Sequence, residues 1–165
     1  MNINTIVSIF ADAVIADAST LNWCNTKYSS PHTVYEGIDI RNPPPEGDYP
    51  VIHIFPMSKS IGYSLEKKGH IIGVVVGIFD DTLTTTTDTN EVVHKKYQGV
   101  EYIEDFRYLI EAAITNELAS NTNTTELFVD AVMVEYEHIE SFPFFLAINT
   151  FELNENYSQG DDVYL

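Results

Sequence analysis

Nine consecutive residues, Ile71-Ile-Gly-Val-Val-Val-Gly-Ile-Phe79, are apolar or glycine, and no other feature narrows the fold of this 165-residue chain as far. The run is too short to span a bilayer, which takes about 20 apolar residues. Its β-branched content favours a strand. Because the run is continuous rather than alternating, both faces of that strand must be covered. Ile72, Val74, Val76 and Ile78 share one face, and Gly73 and Gly77 flank Val75 on the other. Glycine weakens a strand, so two on one face predict a close neighbour, for which a helix is the expected candidate.

The rest of the chain is read around that strand. Ile3, Ile6, Val7, Phe10, Val14 and Ala18 recur at helical spacing and predict an amphipathic helix over 3–18, followed by a loop or short turn at Leu21-Asn-Trp-Cys-Asn. Residues 33–40 and Val51-Ile-His-Ile-Phe read as strands, the second stopped by Pro56. Between them Pro43-Pro44-Pro45 demands a stiff, exposed connection. Lys67, Lys68 and Gly69 predict a hairpin turn into the apolar run. Gly99–Ala119 is the best helix: Val100, Ile103, Phe106, Ile110, Ala113, Ile114 and Leu118 form one stripe. A turn at 121–125 and two closing strands follow, Leu127–Tyr136 and Phe144–Phe151, with a bend at 140–144. The expected fold is α+β: a mainly antiparallel sheet with two helices packed largely on one face, plus a long loop or β-arm. Residues 1–153 form one domain, and 154–165 read as an acidic C-terminal tail.

Residues 80–97 form that loop or arm. Five Thr in 82–87 leave little to bury, yet Thr84, Thr86, Val92 and Val93 favour extended pairing once an edge is offered. Lys95-Lys96-Tyr97 closes the segment with a basic pair beside an aromatic, suited to docking on an acidic neighbour such as a second copy of the chain, or equally to a solvated loop end.

Charge excludes more than it identifies. Residues 1–96 carry 11 acids and 7 bases (−4), whereas 97–165 carry 14 acids and one base, Arg107 (−13), for a total of −17. Such a surface repels phosphate, which argues against specific grip on nucleic acid or an anionic membrane. Glu101, Glu104 and Glu111 concentrate that charge on one helix, either as a solvated face or as a surface that meets DNA without holding it. Glu104 and Glu111 also stand three and four residues from Arg107, at ion-pair spacing. The start carries no Lys or Arg, and Asp12 and Asp17 break its apolar run, unlike a signal or transit peptide.

No catalytic fingerprint emerges. The five histidines, His32, His53, His70, His94 and His138, include no pair at helical ligand spacing. His53, His70 and His138 could meet only through the fold, and no metal is expected. The single cysteine, Cys24, excludes an intrachain disulfide and reads as a packing residue beside Trp23. Asp80, Asp81 and Asp88 lack the spacing of a calcium loop, and Gly73-Val-Val-Val-Gly lies inside a strand rather than opening a helix as a phosphate loop does. Neither an enzyme nor a cofactor is expected.

Taken in order, the initial helix, the strand Tyr49-Pro-Val-Ile-His-Ile-Phe-Pro, the acid-ended strand Ile78-Phe-Asp-Asp, the helix opening Tyr97-Gln-Gly-Val-Glu-Tyr-Ile and the break Phe142-Pro-Phe-Phe resemble the tail terminator (tail completion) proteins of long-tailed bacteriophages and related neck proteins. The resemblance covers about residues 1–153. It implies a virion protein of the tail or neck, assembled as a homo-oligomeric, hexameric ring that caps the tail tube protein and meets a head-side connector, while DNA passes through the lumen. It brings no catalytic residues. Three other classes stay open at this level: an acidic nucleic-acid-mimicking inhibitor, an enzyme of unfamiliar type, and another head–tail adaptor or baseplate component.

Overall fold

A computed structural model describes residues 1–39, 41–61, 68–121, 127–137 and 142–155. Among them the order is α1 (Ile3–Ala16), α2 (Ala18–Tyr28), β1 (Thr33–Glu36), a single 3-10 turn (Glu46–Asp48), β2 (Val51–Ile61), β3 (Lys68–Phe79), β4 (Leu83–Thr87), β5 (Val93–Tyr97), α3 (Gly99–Ser120), β6 (Leu127–Glu137) and β7 (Phe144–Glu155). Five strands form one sheet in the order β1-β2-β3-β7-β6, antiparallel except for the parallel β1–β2 pair. The fold is α+β with the sheet dominant.

The apolar run is β3, at the centre of that sheet. Its Ile72, Val74, Val76 and Ile78 are fully buried beneath α1 and α3, in one core with Ile52, Ile54, Phe145, Phe151, Phe10, Phe106 and Ile110. Burying each such side chain contributes about 1.5–3 kcal/mol, so this layer holds the domain together. The opposite face is where the glycine expectation fails. A Cβ on Gly73 would stand 2.6 Å from the Phe55 ring, and one on Gly77 would stand 2.9 Å from Leu146. The close neighbours are therefore side chains of flanking strands lying across the glycines, and the helices pack on the other side.

Three further expectations are corrected. Leu21–Asn25 is helical rather than a loop, so a third helix packs on α3 beside the two that lie against the sheet. Asp17 ends α1 and caps α2, its carboxylate accepting from the Thr20 N–H at 2.6 Å. That cap turns the chain into a new helix one residue after the old one stops. Pro56 does not stop β2, which continues to Ile61 through a register shift between Pro56 and Ser58. The missing donor is tolerated because β1 pairs β2 only as far as Ile54, leaving an open edge beyond it. Finally, Asn154 and Glu155 are strand, not tail. The buried Glu155 carboxylate pairs with the Met1 α-ammonium and lies 3.6 Å from His70 Nε2. Of the hairpin turn expected at Lys67, Lys68 and Gly69, the last two open β3 instead; Lys67, residues 122–125 of the turn expected at 121–125, His138 and residues 156–165 lie outside the described residues.

Shorter deviations have local causes. The first strand ends at Glu36 because Gly37 takes φ +119°, a backbone state that few residues but glycine adopt, and turns the chain off the sheet. Val100 is exposed rather than part of the α3 stripe, which begins at Ile103. Parallel β1 and β2 require a crossover, and residues 37–50 make it with the three prolines.

Candidate functional site

Residues 80–97 form neither a loop nor part of the main sheet. They make a separate two-stranded ribbon, β4 against β5, in the register Leu83↔Tyr97, Thr85↔Lys95 and Thr87↔Val93. The reversal is built at Asp88, whose side chain accepts from the Asn90 and Val92 N–H groups, while Glu91 takes φ 64°. Every residue of both strands is exposed.

Strand alternation gives this ribbon two faces. Thr84, Thr86, His94 and Lys96 share the one turned to the body: Gln98 donates to Thr84 at 3.0 Å, and Lys96 pairs with Glu101 of α3. Lys96, expected to be free for a neighbour, is thus held within the chain. The other face carries Leu83, Val93, Lys95 and Tyr97, and of these the Tyr97 ring meets Phe142 edge-on at 5.2 Å. Lys95 has no ion pair among the described residues.

The acidic helix face is more neutral than its composition. Arg107, only 7% exposed, lies between Glu104 and Glu111. Its Nε and Nη2 donate to the two Glu104 oxygens at 2.8 and 2.7 Å, a bidentate clasp, and Nη1 donates to Glu111. Tyr136 of β6 also donates to Glu104. These bonds to Arg107, more than the Tyr136 contact, hold the Glu104 carboxyl below the usual carboxylate range. Lys96 does the same for Glu101. The three acids therefore sit with two cations, and their first role is to tie α3 to its own turns, to β6 and to the ribbon.

Acids without an ion pair among the described residues lie elsewhere. Asp130 and Glu135 stand exposed on β6, the edge strand, beside exposed Phe128 and Met133. Charge on an edge strand also discourages uncontrolled pairing with another sheet. Sequence alternation along β6 was the available signal, but edge position comes only from the sheet order.

Cys24 is fully buried in α2, where burial pushes its thiol up to about 12. A thiol so suppressed is a poor nucleophile. Among the described residues no group of three His, Cys, Asp or Glu side chains is placed to hold a metal ion, and no single helix is long and apolar enough to cross a membrane. Neither a family model nor a curated protein sequence matches this chain.

Proposed function

We propose that this chain is a structural, non-catalytic protein of a tailed bacteriophage, a tail terminator that closes into a ring on the tail tube and meets the head-side connector. The observation that carries the proposal is the β4–β5 ribbon. A two-stranded ribbon is marginal in water by itself, and this one offers Leu83 and Val93, beside a Tyr97 whose ring meets Phe142, on a largely exposed face. A neighbouring subunit is the occupant that such an arm fits, and Lys95 would meet that neighbour's acidic surface. The strongly negative half of the chain, with no ion pair to Asp130 or Glu135 among the described residues, suits a lumen through which DNA moves without sticking.

Solution mass and negative-stain imaging test the reading. Rings that bind purified tail tube ends support it. A monomer at every concentration overturns it and favours the nucleic-acid-mimicking inhibitor, which needs no ring.

A further inference from the structure

A second surface, unconnected with the ribbon, lies where the proline crossover meets the sheet. Tyr35 of β1 and His53 of β2 are register partners, and their rings stack with centroids 4.8 Å apart and planes 12° from parallel. They line a cleft of about 600 Å³ together with Glu36, Asp39 and the Pro43–Pro45 segment. A smaller cavity of about 210 Å³, reaching Val75 and Leu146, adjoins it and shares His53, Asp39, Pro43 and Pro44.

The polar groups of the cleft have one sense. His53 is 8% exposed, and its Nδ1 lies 3.1 Å from the Gly37 carbonyl. A carbonyl can only accept, so Nδ1 carries the proton and Nε2 of the neutral ring is an acceptor. Nε2 has no hydrogen-bond partner among the described residues. Asp39 is held in place by the Arg41 N–H and the Asn42 amide, each at 2.9 Å, whereas the Glu36 carboxylate lies on the Ile54 face of the sheet and accepts from Ser8 of α1 at 3.1 Å. Among the described residues no Lys or Arg side chain lines the cleft. A carboxylate, an imidazole nitrogen left open to an N–H donor and a flat aromatic wall call for a planar cation rich in N–H donors.

We propose that this cleft seats a guanidinium group, the arginine side chain of a partner protein. Arginine fits better than lysine because its plane stacks on an aromatic face while its fork of donors serves several acceptors at once. The crossover creates the site: it brings Asp39 and the prolines over a sheet face that would otherwise present Tyr35 and His53 to solvent.

The test uses the full-length, isotope-labelled protein and N-acetyl-arginine-amide, followed by amide shifts. Saturable shifts at Gly37, Asp39 and His53 are expected. The neutral isostere N-acetyl-citrulline-amide should bind at least about tenfold more weakly, since hydrogen bonds to charged groups are the stronger ones. The Asp39→Asn variant keeps the turn's acceptor and should lose the preference for arginine over citrulline. Equal binding of both compounds, no saturable shift in the cleft, or undiminished preference in the Asp39→Asn variant would overturn the proposal. Tighter binding of free arginine than of the blocked amide would overturn the assignment to a protein side chain.

Discussion

The indole of Trp23 stacks on the Phe106 ring, centroids 5.3 Å apart and planes 11° from parallel, and so fastens α2 to α3. Tyr28 and Tyr102 complete the cluster around the indole at 5.7 and 6.2 Å. Replacing Trp23 with Ala should cost about 3 kcal/mol, at the low end for large aromatic truncations because the indole is half-buried. Trp23→Phe should recover most of that. Equal losses in the two variants, measured by urea denaturation followed by circular dichroism, would show that the stack contributes nothing.

Gly99 opens α3 with the Phe145 ring where its side chain would be. A Cβ there would stand 2.2 Å from the ring. Helix propensity alone favours Ala over Gly by about 1 kcal/mol. Overpacking opposes it by about 1–3 kcal/mol, because Phe145 is buried and has little room to swing. Gly99→Ala should therefore lower the melting temperature; a rise would mean that the ring relocates freely.

Arg107→Gln should destabilise the fold by about 1–3 kcal/mol, since it strands Glu104 and Glu111 without their shared cation. The loss should depend on pH. Glu104 has a folded pKa depressed chiefly by Arg107, so its contribution is present above the ordinary value of 4.5 and fades as pH falls through the lower folded value. Wild type and variant should thus converge in strong acid. A gap that stays constant from neutral pH into that range would sink the ion-pair account.

Cys24 should resist thiol reagents in the native state and react only as urea unfolds the chain, because the thiol is both buried and held protonated. Cys24→Ala should change stability by about 1 kcal/mol and leave any assembly intact.

Replacing residues 83–97 with a Gly-Ser-Gly-Ser bridge should leave the domain folded, because the Gln98 N–H already reaches the Thr82 carbonyl at 3.2 Å. The same replacement should abolish rings. Rings that persist would reduce the ribbon to a solvated hairpin. In the intact protein, its amides should exchange slowly only after assembly.

What the chain dictates locally could be read without coordinates. The unbroken apolar run at 71–79 had to be a covered central strand, the stripe from Ile103 to Leu118 had to be a helix, and Glu104, Arg107 and Glu111 had to meet at three- and four-residue spacing. Each follows from hydrogen-bond periodicity and burial along a few turns of backbone. The Asp17 cap was missed: the expected helix ran through it to residue 18 and gave way to a loop, where the structure starts a second helix. Long-range pairing decided the remainder. Only the sheet order places helices on the Val74 face and side chains across Gly73, because a strand's two faces look alike until its neighbours are known. Pro56 stays in a strand because β1 ends two residues short of it in register, a fact about another element. Tyr35 and His53 are 18 positions apart, and no periodicity joins them. A parallel pairing and a proline crossover do, since contact across a sheet depends on register and not on distance along the chain.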